Sequence, residues 1–389
     1  ACEGGGLAQR AGRDMLRVLA LEEVIACTPS AKRAARDAFC GPHSLGAIGV
    51  RVAGFSAVRH DLFAAGSRFA LDMSAAHERE ACRAAARIAP GWSGSPGSER
   101  HPIHSGFYTN LAEELPGSVS DTCFGANVWP PGEEGGKLRD AMCAAGSAMR
   151  SVLLAIVELA GHAAKEEMAA AAAEDGVKDG ASASQLRSLA EASSFLPMRL
   201  AYYDAGHERD DPLLGGQYWL PWHIDFNMAT AFLPALWLDQ RAALAGAGPA
   251  AFVGEDVPYA GERASTHPES HAGLLLRTTG GVVVPAALSS GVILVQLGAF
   301  AQIHSGGLLR AAPHAVAPAA NKELGRMTCG MFMYAPWEAR MVPADASVRT
   351  EVLRDDFGGL MSMAYSGETV RESFRQFAGY MNSVGSDGV

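Results

Sequence analysis

The sequence predicts a mainly β fold with added α-helices (α+β), and three patterns carry this prediction. After Phe195, short apolar runs separated by Gly and Pro recur roughly every ten residues, which is typical of a β-sandwich or barrel. Before that point, a segment over about 137–165 has apolar residues at helical spacing. A similar spacing over about 368–383 predicts a C-terminal helix. We therefore expect a β core with a helical N-terminal layer and a C-terminal helix.

The N-terminal region is predicted to combine short strands with helices. Ser30 and Ser74 are expected to cap two of the helices, and the Gly-, Ser- and Pro-rich stretch 90–102 predicts a loop. The Ala-rich, charged residues 163–190 predict a solvated helix followed by a flexible insert. The predicted strands are 15–21 and 45–52, and the predicted helices are 30–40, 58–72 and 75–88.

The second half is predicted to consist of strands. Gly280-Gly281 predicts a turn, because no phosphate-binding G-x-x-x-x-G-K-[ST] pattern surrounds it. The polar segment 239–272 is unusually long for a connection, and it is either a lid over a site or a surface excursion. The predicted strands are 196–204, 217–224, 229–238, 273–277, 281–284, 291–297, 300–304, 312–317 and 326–334.

Three regions follow from these patterns. They are a helical and β region over 12–165, the β core over 195–340, and a C-terminal extension with its helix over 341–389. With 48% hydrophobic and 19% charged residues, the 389-residue chain is expected to fold around a sizeable core.

Charge and cysteine usage narrow the class of protein. A net charge of −10 and a pI near 5.7 argue against nucleic-acid binding. The seven cysteines are scattered and include no C-x-x-C pair, which favours a reducing compartment over a disulfide framework or a zinc site. No apolar run is expected to span a membrane, and no signal peptide is visible. We expect a soluble monomer of the cytoplasm or an organelle, and two explanations of its N-terminus without Met stay open, a removed leader or a trimmed chain.

The segment Trp219–Phe226 carries the first candidate site. His223 and Asp225 lie two positions apart, so on an extended chain both side chains point to the same side. A further histidine, His314, follows far downstream. Two His and one carboxylate on one face of a metal, with open positions opposite, form the facial triad of non-haem Fe(II) oxygenases. Taken singly, each histidine is also compatible with a hydrogen-bonded core or surface residue.

Longer motifs around these residues resemble one family, the plant-type, isopenicillin-N-synthase-like branch of the 2-oxoglutarate/Fe(II)-dependent dioxygenases. The strand MRLAYY ahead of the H-x-D pair is similar to the family's R-x-N-Y-Y. The run LGAFAQIHSGG followed by PHAV and RMT is similar to the family's G-D-Q-L-Q-I-x-S-N-G, H-R-V and R-x-S. The similar segments are 46–54, 127–130, 198–203, 223–225, 297–307, 313–316 and 326–328.

The resemblance implies a double-stranded β-helix (jelly-roll) core and an Fe(II)-dependent oxygenase. His223, Asp225 and His314 would be the iron ligands and the catalytic centre. The implied cofactors are Fe(II) and O₂, with 2-oxoglutarate as co-substrate and ascorbate as a further candidate. The implied reaction hydroxylates, desaturates or cyclises a small-molecule substrate and releases succinate and CO₂.

The same resemblance implies a co-substrate site. Arg326 would pair with the far carboxylate of 2-oxoglutarate, which a planar guanidinium fork suits. Thr328 keeps the hydroxyl of the family's Ser, and Tyr203 corresponds to a family tyrosine near the other end of 2-oxoglutarate. Ala201 replaces the family's Asn and Ala299 replaces its Asp, which puts the contacts made from these two positions in question.

Two alternatives to this function stay open. An oxidase of the same fold that does not use 2-oxoglutarate can keep the arginine for a substrate carboxylate, so turnover of 2-oxoglutarate to succinate separates the two. A jelly-roll binding protein without turnover is the other alternative, and iron content after anaerobic purification tests it.

Other candidate residues are weaker. Trp219, Trp222 and Phe226 line a substrate pocket around the metal or pack in the core. A second metal site built from five other histidines is less favoured than solvated loop histidines, because only His101 and His104 have a ligand-like spacing and no carboxylate lies at a matching offset. Those histidines are His101, His104, His267, His271 and His304.

Overall fold

The structure is a computed structural model in which helices and strands are defined over most of the chain. It describes residues 16–41, 43–86, 88–94, 104–114, 124–175, 185–205, 209–210, 215–253, 272–278, 280–343 and 369–383. The helices are α1 (Leu21–Ile25), α2 (Pro29–Phe39), α3 (Phe55–Leu71), α4 (Ala76–Ala81), α5 (Gly132–Asp175), α6 (Gln185–Glu191), α7 (Gln240–Leu244), α8 (Ala299–His304) and α9 (Val370–Ser383). Short 3-10 helices are Met73–Ala75, Leu111–Glu113 and Gly248–Ala251.

The strands run through most of the chain. They are β1 (Val18–Ala20), β2 (Ala47–Arg51), β3 (Gly91–Ser93), β4 (His104–Asn110), β5 (Pro197–Tyr203), β6 (Arg209–Asp210), β7 (Gln217–Tyr218), β8 (Leu220–His223), β9 (Ala229–Phe232), β10 (Leu236–Asp239), β11 (Phe252–Val253), β12 (Gly273–Arg277), β13 (Val283–Pro285), β14 (Val292–Leu297), β15 (His314–Ala317) and β16 (Leu324–Met333).

Two main sheets, a separate two-stranded sheet and a helical layer make up the described part of the molecule. The larger sheet has the order β1-β2-β14-β9-β16-β5-β4-β3, with β10 paired to β16 and β11 paired to β10. The smaller sheet has the order β13-β12-β15-β8, and β6 pairs with β7. Strands of the predicted N-terminal region therefore extend the sheet formed by the second half. The boundaries of the three predicted regions stay predictions.

Helix α5 supports one face of the larger sheet. Its apolar residues recur at helical spacing, it packs against α2 and α3, and it meets β9, β14 and β16. Leu138, Met142, Met149, Leu153 and Ile156 are almost fully buried, and each such side chain stabilises the fold by about 1.5–3 kcal/mol. The face of the sheet opposite α5 is thereby left for the smaller sheet.

Strand β16 shows how the two faces divide. Cys329 and Met331 belong to the core on the α5 side, while Arg326 and Thr328 point to the other face, because successive side chains of a strand alternate. On that second face, Tyr203, Trp219 and Trp237 form a smaller cluster with residues of the smaller sheet. The site lies between the sheets, on this face.

Several predictions about local structure are confirmed and others are wrong. The long helix, the C-terminal helix and most strands of the second half are present. The predicted strand 300–304 is instead part of helix α8, all six residues of which are buried. The prediction failed because a short apolar run does not distinguish a buried strand from a buried helix. Strand β3 lies inside the predicted loop 90–102, and the predicted helix 75–88 ends at Ala81.

Both predicted helix caps are also wrong, by two residues each. The Thr28 hydroxyl accepts a hydrogen bond from the Ala31 N–H at 3.2 Å and caps α2, in place of Ser30. The Asp72 carboxylate accepts from the Ser74 N–H at 2.8 Å and caps the 3-10 turn that precedes α4. Both caps satisfy backbone donors that the first turn of a helix leaves free.

Helix α5 also corrects the expectation about membrane-length segments. Within Gly132–Ala169 it is long and apolar enough to cross a membrane by length and composition. In the structure, 61% of the apolar stretch of α5 that is long enough to cross a membrane is buried inside the protein. An apolar core helix meets the same criterion, and the contacts with α2, α3 and the larger sheet account for its composition.

Some predictions fall on residues outside the described ones. The insert expected after α5 includes 176–184, which lie outside them. The long segment 239–272 is described only as far as 253, through α7, a 3-10 turn and β11, and again at its last residue. Over 185–190 the flexible insert is wrong, because these residues form helix α6, which packs against α5 and buries Leu186 and Ala190. Over 176–184 the flexible insert stays a prediction, and so does the lid.

Candidate metal centre

The three predicted metal ligands come together between the sheets. His223 ends β8 and His314 begins β15, and the register of this antiparallel pair sets the two residues directly opposite each other. Asp225 follows two residues after His223, and its Oδ1 lies 3.9 Å from the Nε2 atoms of both histidines. One donor atom from each residue lies within 4.8 Å of the other two. This is a convergent set of two imidazoles and one carboxylate.

Backbone carbonyls orient both imidazoles. Nδ1 of His223 lies 2.8 Å from the Pro221 carbonyl, and Nδ1 of His314 lies 3.0 Å from the Ala312 carbonyl. Since a carbonyl can only accept, each Nδ1 carries the proton and each Nε2 keeps its lone pair. Burial, and then His223, lower the pKa of His314 to about 4. The neutral imidazole needed by a metal ligand is thus the favoured form at neutral pH.

The carboxylate of Asp225 is held by one of its oxygens. The Thr230 hydroxyl donates to Oδ2 at 2.6 Å, and the Gln296 amide Nε2 donates to the same atom at 3.1 Å. The Asn227 amide in turn donates to the Thr230 hydroxyl at 2.9 Å. Because Oδ2 is occupied by these donors, Oδ1 is left to face the two histidines. Such supporting hydrogen bonds orient a ligand and tune its basicity.

The sequence reasoning missed Thr230 and Gln296. A signal was present, since Gln296 is a fully buried polar residue in the otherwise apolar strand β14. Buried polar side chains need partners, and a partner at a metal ligand is one explanation for such a residue. The Gln296 Nε2 also lies 3.1 Å from both ring nitrogens of His314. A metal bound at His314 Nε2 would occupy that nitrogen, so the Gln296 amide would then donate to Asp225 alone.

The turn after β8 is held in place by the start of α8. The Ala299 N–H donates to the Asp225 carbonyl at 2.8 Å, and the Gly298 N–H donates to the Met228 carbonyl at 3.0 Å. A Cβ atom at Gly298 would lie 2.2 Å from the Asn227 carbonyl oxygen, so only glycine permits this approach. Ala299, where the resembled family has Asp, therefore contributes through its backbone.

A buried cation lies on the same face of the larger sheet. Arg326 is 4% exposed, and its Nε and Nη1 have no hydrogen-bond partner among the described residues. Burial lowers the pKa of this guanidinium, while the charge interaction and the hydrogen bond with the Tyr203 side chain raise it; the Tyr203 ring centroid lies 5.3 Å away. Thr328 is buried on the same face and its hydroxyl is also without a partner among those residues. Buried unpartnered donors of this kind are costly, and a bound carboxylate would satisfy them.

The three predicted pocket aromatics occupy different positions. Trp219 is 1% exposed, donates to the Asp204 carbonyl at 3.0 Å, and packs in the cluster with Tyr203. Trp222 neighbours His223 in β8, so it points to the opposite face of the strand. Phe226 follows Asp225, and its ring lies 5.2 Å from that of Tyr334. All three side chains are buried, which is compatible with the core-packing alternative, and their role in a substrate pocket stays a prediction.

Aromatic side chains of α9 and its neighbours form a wall beside the triad. The Phe226 ring lies 5.0 Å from Phe377 and 6.4 Å from Phe374. Phe374 also lies 5.7 Å from Tyr334. The predicted C-terminal helix thus packs back on the body of the protein, and it does so next to Asp225.

A second group of candidate ligands lies outside the triad. Sγ of Cys27 and donor atoms of Glu158 and His162 also lie within 4.8 Å of one another. Glu158 is exposed and one of its oxygens pairs with Arg187 at 2.9 Å. His304 does not join a metal group among the described residues, and its ring stacks on Phe300 at 5.3 Å. His101, His267, His271 and the side chain of His104 lie outside the described residues.

A cleft of about 470 Å³ lies away from the triad, between α3, α5 and the region of α7. Its charged side chains pair with one another, as Arg68 does with Glu134 at 3.4 Å and Lys137 with Glu134 at 2.6 Å. None of its lining residues belongs to the triad or to the buried cation site. The cleft therefore offers no alternative centre for the chemistry.

Comparisons with known proteins show similarity at the level of structure. No protein-family model matches the sequence, and no curated protein matches it. A full-length Neurospora crassa protein solved in complex with alpha-KG is 13% identical, with a TM-score of 0.60 over 94% of this chain and 96% of that one. A 2OG-Fe(II) oxygenase family protein from Caulobacter crescentus is 13% identical, with a TM-score of 0.57 over 94% of this chain and 99% of that one.

A third solved structure is JOX2 in complex with 2OG, Fe and JA. It is 16% identical, with a TM-score of 0.51 over 86% of this chain and 79% of that one. At these identities the likeness concerns the fold. The mixed sheets and helices of this chain have the fold of solved 2OG-Fe(II) oxygenases, and a His-Asp-His donor set lies between its sheets.

Proposed function

We propose that this protein is an Fe(II)- and 2-oxoglutarate-dependent oxygenase that oxidises a small molecule and releases succinate and CO₂. One observation carries the proposal: a convergent His-Asp-His donor set lies on the same face of the larger sheet as a buried guanidinium whose Nε and Nη1 lack partners among the described residues. The shared fold supports it. We further propose a double-stranded β-helix core and membership of the plant-type branch.

His223, Asp225 and His314 would hold the iron. Their donor set of two neutral imidazoles and one carboxylate suits Fe(II) and leaves coordination positions open. When bound, iron supplies the activation of O₂ that side chains alone cannot provide. The role of the chain is to keep the three donors facing one point, which the carbonyl partners of the imidazoles and the donors to Asp225 Oδ2 do.

Arg326 and Thr328 would hold the far carboxylate of 2-oxoglutarate. The guanidinium presents a fork of N–H groups, and a carboxylate accepts from two of them at once. The co-substrate would thereby offset the cost of burying an unpaired charge. Tyr203, directly opposite Arg326 in the neighbouring strand, limits where the co-substrate can lie.

Surrounding aromatic residues would keep water from the reacting groups. Phe226 and Tyr334 are 4% and 5% exposed and border Asp225. A dry, preorganised site strengthens electrostatic interactions and limits side reactions. Solved structures of this fold hold small organic molecules, thymine in the Neurospora crassa protein and JA in JOX2, which supports a small-molecule substrate.

Metal binding and 2-oxoglutarate turnover test the proposal. His223→Ala and Asp225→Ala should each lose Fe(II) binding, measured anaerobically by calorimetry, and lose the conversion of 2-oxoglutarate to succinate. Removing one of three ligands leaves too few protein donors for a stable site. Circular dichroism should show that both variants remain folded.

A matched control comes from the second group of candidate ligands. His162→Ala removes a histidine from that group, so it should leave Fe(II) affinity and succinate formation unchanged. Full iron occupancy in both triad variants would refute the metal assignment. Iron binding without any succinate formation, with or without candidate substrates, would instead favour an oxidase that does not use 2-oxoglutarate.

A further inference from the structure

A second convergent set of donor atoms lies in the helical layer, away from the triad. Sγ of Cys27 and one donor atom each of Glu158 and His162 lie within 4.8 Å of one another. Cys27 lies in the turn between α1 and α2, while Glu158 and His162 belong to α5, which packs on the other face of the larger sheet from the triad. A thiol, a carboxylate and an imidazole that meet in this way are the donor types of a metal site.

Helix α5 supplies two of the three donors from one of its faces. Glu158 and His162 are four residues apart, so their side chains lie one helical turn from each other on the same face. Glu158 is exposed and His162 is half-buried, whereas Leu159 and Ala163, the residues that follow each of them, are fully buried. The pair therefore lies where the apolar core meets solvent, and a cation can reach both donors without any opening of the core.

The turn between α1 and α2 fixes the position of the third donor. Cys27 has a φ of 45°, and among the described residues no other non-glycine residue has a positive φ. Its N–H donates to the Val24 carbonyl at 3.0 Å, and the Thr28 N–H donates to the Glu23 carbonyl at 3.2 Å. A left-handed conformation is uncommon for a residue with a side chain, and such positions occur preferentially at functional sites. These hydrogen bonds hold the turn so that the thiol lies beside α5.

A third element orients the Glu158 carboxylate. Arg187, on α6, pairs with Oε2 of Glu158 at 2.9 Å, and the same guanidinium donates to the Leu154 carbonyl at 3.1 Å. This ion pair occupies one carboxylate oxygen and leaves Oε1 to a further partner. Asp225 of the triad is held in the same way, through one oxygen, and such outer partners are typical of metal-ligating carboxylates.

The surroundings of the Cys27 thiol do not suit a reactive cysteine. Burial, and then Glu158, raise the pKa of this thiol, while Lys32 lowers it. Reactive cysteines instead have a lowered pKa, which provides the thiolate that attacks. A divalent cation bound between sulfur and carboxylate would replace the thiol proton, which passes to solvent, and would neutralise the charges that otherwise repel each other.

We propose that Cys27, Glu158 and His162 bind a zinc ion, with water as the fourth ligand, and that this ion links the turn between α1 and α2 to α5. Thiolate and imidazole suit Zn(II), and three protein donors with one water complete a tetrahedral site. The thiolate makes this set softer than the triad, whose imidazoles and carboxylate suit Fe(II). A site with a single cysteine needs no C-x-x-C pair, the pattern that the sequence lacks.

Absorption of bound Co(II), which takes the place of zinc, tests this inference. A thiolate bound to Co(II) gives a strong charge-transfer band in the near ultraviolet, and the triad contains no thiolate. The full chain carrying Asp225→Ala, which impairs the triad, is titrated anaerobically with Co(II). We expect one equivalent of Co(II) to produce the band and one equivalent of Zn(II) to remove it.

A ligand variant that keeps the sulfur distinguishes a three-donor site from a thiol that binds metal alone. In the Asp225→Ala background, His162→Ala should weaken Co(II) binding about tenfold or more, because loss of a mere supporting partner already costs about 10- to 100-fold. Since the ion links two segments, Zn(II) should raise the urea midpoint of Asp225→Ala, and this increase should disappear when Cys27→Ser is added.

Cys143→Ser is the matched control. Cys143 is also a half-buried free thiol, it lies on α5, and it belongs to neither donor set. Its replacement should leave the band and the Co(II) affinity unchanged. The inference is overturned if stoichiometric Co(II) gives no band, if His162→Ala binds Co(II) as tightly as its parent, or if Cys143→Ser loses the band. Because the band requires sulfur ligation, failure of the triad to bind Fe(II) would refute the proposed function and leave this result unaffected.

Discussion

Replacing Arg326 with Met should stabilise the protein in the absence of 2-oxoglutarate while removing its response to that ligand. In the structure two nitrogens of the buried guanidinium, Nε and Nη1, have no hydrogen-bond partner among the described residues. Each unsatisfied buried donor costs about 1–3 kcal/mol, so relief of both is worth about 2–6 kcal/mol. Met fills a similar volume, adapts to irregular space and carries no polar hydrogen.

The losses from this substitution are smaller. The cation contact with the Tyr203 ring, at 5.3 Å, is worth at most about 2 kcal/mol when desolvated, and the hydrogen bond to the Tyr203 side chain is worth about 0.5–1.5 kcal/mol. We therefore expect Arg326→Met to raise the free energy of unfolding by about 1–3 kcal/mol without 2-oxoglutarate. Addition of 2-oxoglutarate to the metal-loaded protein should stabilise the wild type and leave the variant unchanged.

Urea denaturation followed by fluorescence and circular dichroism measures both effects. Arg79→Met is the matched control, because the buried Arg79 donates to the Phe69 carbonyl at 2.6 Å and to the Asp72 carbonyl at 2.9 Å. Removing that satisfied arginine orphans two acceptors and should destabilise the protein. If Arg326→Met destabilised the co-substrate-free protein by as much as Arg79→Met does, the account of Arg326 as a buried cation with unsatisfied donors would be refuted.

Two further predictions concern the triad. Thr230→Val removes the hydroxyl that donates to Asp225 Oδ2 at 2.6 Å, so Fe(II) affinity measured by calorimetry should fall about 10- to 100-fold. Thr230→Ser keeps the hydroxyl and should keep the affinity. An unchanged Fe(II) affinity in Thr230→Val would show that this donor does not orient Asp225. In metal-free protein, the folded-state pKa of His314 is lowered to about 4 from an unfolded value near 6.5, chiefly by burial. Since the unfolded chain then binds the proton more readily, stability should be complete above pH 6.5 and fall as the pH drops toward about 4, by up to about 3 kcal/mol. Urea titrations across this window should show a smaller loss in His314→Leu; an identical loss would assign the effect to other groups.

The sequence by itself was sufficient for the local patterns and for the candidate ligands. Helix α5 and the strands of the second half follow from apolar spacing, because a core-facing element must present its apolar side chains at its own period. The pair His223 and Asp225 was recognisable from its two-residue spacing on an extended chain. The downstream residues His314 and Arg326 came from a resemblance, since spacing alone does not connect distant segments.

Tertiary structure decided which distant residues meet. The register of β8 against β15 brings His223 opposite His314, and nothing local to either strand encodes that pairing. Helix α8 was mistaken for a strand because complete burial removes the periodic difference between its faces.

The supporting residues of the site depended on the fold most of all. Thr230 and Gln296 hold Asp225 only because β9 and β14 are adjacent in the larger sheet. The sequence supplies the chemical groups, but hydrogen bonds act over about 3 Å. Which donors lie within that reach of a carboxylate is therefore set by strand order and register, which the packing of the whole chain determines.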